Sequence, residues 1–174
     1  MESSLARKQL IGVASAGAAM AVVVGVIVAA PWLFIPILPY GDDTASRLVF
    51  LAHWLLLPGF MLLAGVVAAS RRGFYADAID GTRTPASRGL EINLRYNQNT
   101  LEQTVLAAIV WFALALELPH DRLVLIPAMA VLFAVGRITF WIGYLVYPIG
   151  RAFGMTMTAL PTICAYLWLF LRIF

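Results

Sequence analysis

From Leu10 to Ile37 the chain carries no charged residue, a run longer than the roughly 20 apolar residues with which an α-helix crosses the hydrocarbon of a bilayer. In water such a helix would need cover on every side, and nothing else in the chain supplies it. Hydrophobic residues fill 62% of the 174 positions and charged residues only 12%, too little polar surface for a water-facing domain of this size. The mean hydropathy of +0.88 agrees. The bilayer is the solvent, and the fold class expected is an all-α integral membrane protein.

Arg7 and Lys8 precede the first run, a layout shared by signal peptides and first membrane spans. A signal's apolar core is roughly 7–15 residues, so the length favours a retained helix, with Ala29 and Ala30 as the cleavage alternative. Gly17, Ala21, Gly25 and Ala29 recur every four residues and would let another helix approach closely. The second span is expected from Leu48 to Ala69, after the polar turn at Gly41 to Thr44, with Pro58 removing a backbone donor inside it. The stretch 71–94, punctuated by Gly73, Gly81, Pro85 and Gly89, reads as a cytoplasmic loop. The third span is expected from about Asn97 to Leu118, the fourth from Leu123 to Tyr147 after the tight link Pro119 to Arg122, and the fifth from Met155 to Leu171. Short links make neighbouring spans antiparallel.

With five spans, Arg7, Lys8, Arg71, Arg72, Arg83, Arg88, Arg95 and Arg151 fall on one side, and Arg47, Arg122 and Arg172 on the other. Lysine and arginine accumulate on the cytoplasmic side, so the N-terminus is expected in the cytoplasm. The formal charge of +3 is thus a topology signal, and its short clusters do not form a nucleic-acid face. The single cysteine, Cys164, is expected to pack in the core, and with His53 and His120 on other elements no metal site is expected. His53 reads as interfacial. Trp32, Trp54, Trp141 and Trp168, with Tyr40, Tyr75 and Tyr147, read as anchors at the lipid–water boundary or as packing residues.

Arg95, Asn99 and Glu102 are spaced i, i+4 and i+7, which puts them on one side of the third helix. Glu102 begins an apolar stretch, and a charge inside a span costs about 2.5–3.5 kcal/mol on insertion scales, so it needs a partner. Arg137, inside the fourth span, is the economical one, and a Glu102–Arg137 ion pair is expected. Arg137, Phe140 and Tyr144, with Arg151 further on in register, make a basic and phenolic face on the fourth helix. Packed together, the two faces offer guanidinium forks for carboxylates and a carboxylate and amide for an ammonium, so the matching ligand is small, zwitterionic and multiply anionic.

The stretch Arg95-Tyr96-Asn97-Gln98-Asn99-Thr100-Leu101-Glu102 resembles the R-x(3)-N-x(2)-E signature of the MAPEG superfamily, the membrane-associated proteins of eicosanoid and glutathione metabolism. Arg137 to Tyr144, continuing to Arg151, resembles that family's R-x(6)-Y-x(6)-R stretch. The resemblance covers about residues 48–174 and implies a four-helix transmembrane domain there, preceded by an extra helix in 1–40, as in the five-span, mattrin-like branch. It further implies a homotrimer that holds glutathione between subunits near the cytoplasmic face, beside membrane lipids and a lipophilic small molecule. By the same resemblance Arg95, Asn99 and Glu102 would hold the peptide portion, Tyr144 would add a hydroxyl, Arg137 would support the site, and Arg151 would stabilise the thiolate. Arg71 or Arg72, the latter taken as ligand-binding, resembles the basic position at the end of the preceding span. Phe140 stands where glutathione-using members often carry a tyrosine, and Gln103 where leukotriene-forming members carry another. Two functions follow as expectations: a glutathione-dependent transferase or peroxidase, or a non-catalytic mattrin-like protein that binds lipid or partner helices. The location expected is a bacterial inner membrane.

Overall fold

The computed structural model describes residues 2–39, 41–81 and 87–174, so that Tyr40, Arg83 and Pro85 lie outside the described residues. Five α-helices run in alternating directions: α1 (Glu2–Phe34), α2 (Thr44–Ser70), α3 (Arg88–Glu117), α4 (Leu125–Val146) and α5 (Arg151–Ile173). All five are long and apolar enough to cross a membrane, and no strand is present among the described residues. The protein is a multi-pass helical membrane protein.

The sequence explains where each helix starts. Asp43 caps α2, its carboxylate accepting from the backbone N–H of Ala45 at 3.0 Å and of Ser46 at 3.1 Å. Ser87 caps α3 through its hydroxyl, which accepts from the N–H of Leu90. Such side chains satisfy donors that the first turn leaves unpaired. The helix α3 therefore begins well before the expected Asn97. Hydropathy marks where hydrocarbon begins, whereas the cap at Ser87 and the i, i+4 pair between Glu91 and Arg95 extend the helix through polar residues beyond it. The helix α2 passes unbroken through the buried Pro58.

The helix α4 is the central one, with Ile126 to Ala130 buried without interruption. Around it, Leu51 and Met61 of α2, Val110 and Trp111 of α3, Phe133 of α4 and Leu169 of α5 form the main apolar core. Trp111 meets Phe133 edge to face. The helix α1 lies against α4 and α5, where Ala19 and Val23 meet Leu132 and Met157, and Ala30 meets Val124 and Ala128. Its small-residue stripe does not make that contact. No atom of the described residues lies within 4 Å of where a Cβ on Gly17 or Gly25 would stand, so the stripe faces away from the bundle.

The pair α4 and α5 is packed most closely. A Cβ on Gly136 would stand 3.0 Å from the carbonyl oxygen of Gly154 and 2.8 Å from Thr158, so only glycine permits this approach. One end of the bundle gathers the starts of α1, α3 and α5 with the ends of α2 and α4. The other holds Asp42, Asp43 and the short turn His120–Arg122.

Candidate functional site

At the end where α5 begins, the 3₁₀-like turns through Tyr147 to Gly150 fold the chain back sharply. A Cβ on Gly143 or on Gly150 would collide with the backbone of the other, so Tyr144 and Arg151 are forced side by side. The Arg151 guanidinium lies 4.8 Å from the centre of the Tyr144 ring, within cation–π range. Across from them α3 presents Arg95, Gln98, Asn99 and Glu102. Together with Phe140 and Met155 these residues line one cleft of about 360 Å³. Five of the residues picked from the sequence, Arg95, Asn99, Glu102, Tyr144 and Arg151, therefore share a single wall-to-wall space.

Arg137 lies behind that cleft and is completely buried. Its Nη1 donates to Asn99 Oδ1 at 2.7 Å, and its Nη2 donates to Thr158 Oγ1 at 2.6 Å and to the carbonyl of Gly154 at 3.5 Å. The face of the Phe140 ring lies 4.6 Å from the guanidinium carbon and that of Phe133 lies 5.8 Å from it. The Arg137 Nε has no hydrogen-bond partner among the described residues. The expected Glu102–Arg137 ion pair is absent among the described residues. Glu102 is exposed and accepts from Gln98 Nε2 at 2.9 Å. The physical reason is the glycine contact between α4 and α5, which leaves the Gly154 carbonyl and Thr158 open to Arg137 on the inner side, while Asn99 accepts from its other terminal amino group.

Arg95 is exposed and held by Glu91, with 2.8 Å between charged atoms. Among the described residues Arg151 makes no hydrogen bond, which leaves its donors facing the cleft. The wall of the cleft thus carries guanidinium groups from α3 and α5 and a carboxylate and amides from α3, with a further cation beneath. It can take up carboxylates on one side and a donor group on the other.

Arg72 does not line this cleft. Its Nε donates to the carbonyl of Ala78 at 3.1 Å, and its guanidinium lies over Gly81, whose φ of +80° suits glycine. Arg71 lines a different recess of about 350 Å³ with Tyr75, Ser87, Asn93 and Trp141. There Trp141 Nε1 donates to Asn93 Oδ1 at 3.0 Å, and Tyr96 stacks on Trp141 at 4.4 Å, so Trp141 is a packing residue.

Sequence reasoning missed Gln98, Met155 and Thr158. Gln98 carried a signal, its i, i+4 spacing to Glu102. Thr158 carried none, because its partner Arg137 is on another helix and only the glycine contact joins them. Cys164 is also placed otherwise than expected. It is exposed on α5 rather than packed in the core, because the neighbouring α1 leaves a groove beside it. Among the described residues no group of three His, Cys, Asp or Glu lies close enough to share a metal ion.

Comparison with known proteins agrees with this architecture. The profile of the MAPEG family matches residues 44–171, and the chain belongs to that family. It is 28% identical over 169 residues to Transmembrane protein 79 of Bos taurus, a match covering 97% of this chain and 42% of that protein. Against Transmembrane protein 79 of Mus musculus it is 26% identical over 153 residues, covering 81% of this chain and 39% of that protein. The chain spans about two-fifths of the length of the curated relatives it matches. These relatives belong to the mattrin branch of the family. No solved structure matches it at a significant level.

Proposed function

We propose that this MAPEG-family membrane protein binds glutathione, or a related small molecule with several carboxylates, in the cleft between α3, α4 and α5. The observation that carries the reading is the convergence of Arg95, Asn99, Glu102, Tyr144 and Arg151 on one space of about 360 Å³, a volume in the range of small-molecule sites. Charged side chains within membrane spans are costly and mark sites of function. The buried Arg137, paired with no carboxylate among the described residues, adds positive potential beneath the cleft. Arg95 and Asn99 would hold the peptide, Glu102 its ammonium group, and Tyr144 would donate a hydroxyl.

If the bound thiol reacts, Arg151 is the residue suited to it. A guanidinium beside sulfur favours the thiolate, the nucleophilic form. The thiol proton leaves to solvent, the sulfur forms a bond to an electrophilic carbon of a lipophilic substrate, and the leaving group departs with the bonding pair. The reading includes a homotrimer in which Arg72, off the cleft of its own subunit, would serve the site of a neighbour. It also includes a cytoplasmic N-terminus, supported by the basic residues gathered at the same end as the cleft, in a bacterial inner membrane.

The test is calorimetric titration of glutathione into detergent-solubilised protein. Saturable heat in the wild type, weakened at least about tenfold in Arg95→Ala and Glu102→Ala, is the expected result, and no heat in the wild type overturns the proposal. A second reading, a non-catalytic protein that binds lipid or partner helices, is favoured by Phe140, whose ring already serves Arg137 and carries no hydroxyl. A turnover assay with glutathione and a chlorinated aromatic separates the two. Chloride release that depends on Arg151 excludes the non-catalytic reading.

A further inference from the structure

At the end of the bundle remote from the cleft, α1 and α5 enclose an apolar groove of about 570 Å³, with the ends of α3 and α4 as its floor. Val24 and Val28 of α1 form one wall, Leu160 and Cys164 of α5 the other, and Arg122 and Arg172 line its mouth. The helix α1 precedes the residues matched by the family profile, so the groove is an addition to that family's four-helix core.

Three features identify what fits. The first is depth. Leu160 and Arg172 bound the groove along α5, and at about 1.5 Å per residue they are about 18 Å apart, close to the roughly 15 Å of hydrocarbon in one leaflet. The second is width. An extended hydrocarbon chain, about 4–5 Å across at carbon contact distances, displaces about 300 Å³. The third is charge. Arg122 touches Asp121 at 3.4 Å and Arg172 touches Glu117 at 3.5 Å, in both cases through Nε. The terminal amino groups of both guanidiniums make no hydrogen bond among the described residues. Of these four charged side chains only the two arginines line the groove, and Trp168 supports Arg172 with its ring 5.3 Å away.

We propose that this groove holds an anionic membrane lipid, an acyl chain lying between α1 and α5 and the phosphate bridging Arg122 and Arg172. Guanidinium forks suit phosphate oxygens, and the arginines stand at the ends of the spans, Arg172 in the last turn of α5 and Arg122 in the turn before α4. The added helix thereby turns a bare face of the family's core into a site that takes up one lipid from the leaflet away from the cleft. The inference stands apart from the glutathione reading and uses none of the cleft residues.

Native mass spectrometry of delipidated full-length protein, supplied with phosphatidylglycerol or phosphatidylcholine, tests it. The wild type is expected to retain phosphatidylglycerol about tenfold more tightly than phosphatidylcholine. Arg122→Ala with Arg172→Ala should abolish the preference, whereas Arg7→Ala with Arg88→Ala, an equal loss of charge at the other end, should preserve it. Cys164→Trp, at an exposed position, should fill the groove and lower retention of both lipids. Equal affinity for the two lipids in the wild type, equal loss in both double variants, or unchanged retention in Cys164→Trp overturns the proposal. So does a Cys164–Cys164 cross-link between copies in a wild type that retains no lipid, which would make the face a contact between subunits. Glutathione titration of the same variants keeps the two proposals distinguishable, since none of them touches the cleft.

Discussion

Arg47, in the first turn of α2, and Arg137, near the middle of α4 beneath the cleft, have their charges accommodated in opposite ways. Arg47 forms a short ion pair with Asp42 and donates from Nη1 to the carbonyls of Ala115 at 3.1 Å and Leu118 at 2.7 Å, at the end of α3. That is a balanced charge, with a carboxylate and the negative end of a helix as counterparts. Arg137 is more deeply buried, and its partners among the described residues are neutral: an amide oxygen, a hydroxyl, a carbonyl, the Met155 sulfur and two ring faces. Among the described residues no carboxylate compensates its charge, which is costly in a medium of low polarity. The difference teaches that one end of the bundle is closed by its charges, whereas the other keeps a standing positive potential next to an open cleft.

Removal of each arginine sharpens that contrast. Arg137→Ala leaves Asn99 and Thr158 without their charged donor and opens a void. The expected loss is about 2–4 kcal/mol of stability, measured by thermal unfolding in detergent, together with at least about a tenfold loss of glutathione affinity. Full retention of affinity would break the link between Arg137 and the cleft. Gly154→Ala should act next most strongly, pushing α4 from α5 and costing about 1–3 kcal/mol. It should also lower affinity, because the Arg137–Thr158 contact depends on that approach. Arg47→Ala should cost about 1–3 kcal/mol, since it strips the carbonyls at the end of α3, yet leave glutathione affinity unchanged.

The smallest expected effect is on pH dependence at the closed end. The Asp42 carboxyl is held below its ordinary value of 3.8 first by the hydrogen bond from Arg47, with His120 adding to it, and Asp43 is held below 3.8 first by the hydroxyl of Ser46. Both groups bind their proton less tightly folded than unfolded, so their stabilisation is complete above the ordinary carboxylate range. It is lost as the pH falls through their lowered values. Unfolding followed below pH 4 should show a decline in the wild type that is shallower in Asp42→Asn. The same substitution should leave glutathione binding near neutral pH untouched.

Span number was legible because long apolar runs have few alternatives in any solvent. The residues of the cleft were legible because helical periodicity alone puts Arg95, Asn99 and Glu102 together, and places Tyr144 a turn beyond Phe140. What periodicity cannot give is rotation and distance between helices. The partner of Arg137 was misjudged on that account. Opposite charge pointed to Glu102, but the approach of Gly136 to Gly154 directs the guanidinium toward Thr158 and Asn99. The early start of α3 was hidden for a related reason, since a helix that leaves the hydrocarbon does not end there when Ser87 and the Glu91–Arg95 pair continue it. The groove beside Cys164 was invisible because it belongs to the space between α1 and α5 and to neither helix alone.

The hydrogen bond from Arg47 to Leu118 joins residues 71 positions apart, and a chain is made from its N-terminus. When α2 emerges, Arg47 meets only its local companion Asp42, and its other donors have no protein acceptor until the end of α3 has been synthesised. The hairpin of α2 and α3 therefore has a molecular latch that engages late, at the moment Leu118 arrives. A nascent chain stopped short of Ala115 would leave that latch open, whereas one extended past Leu118 could close it before α4 and α5 exist.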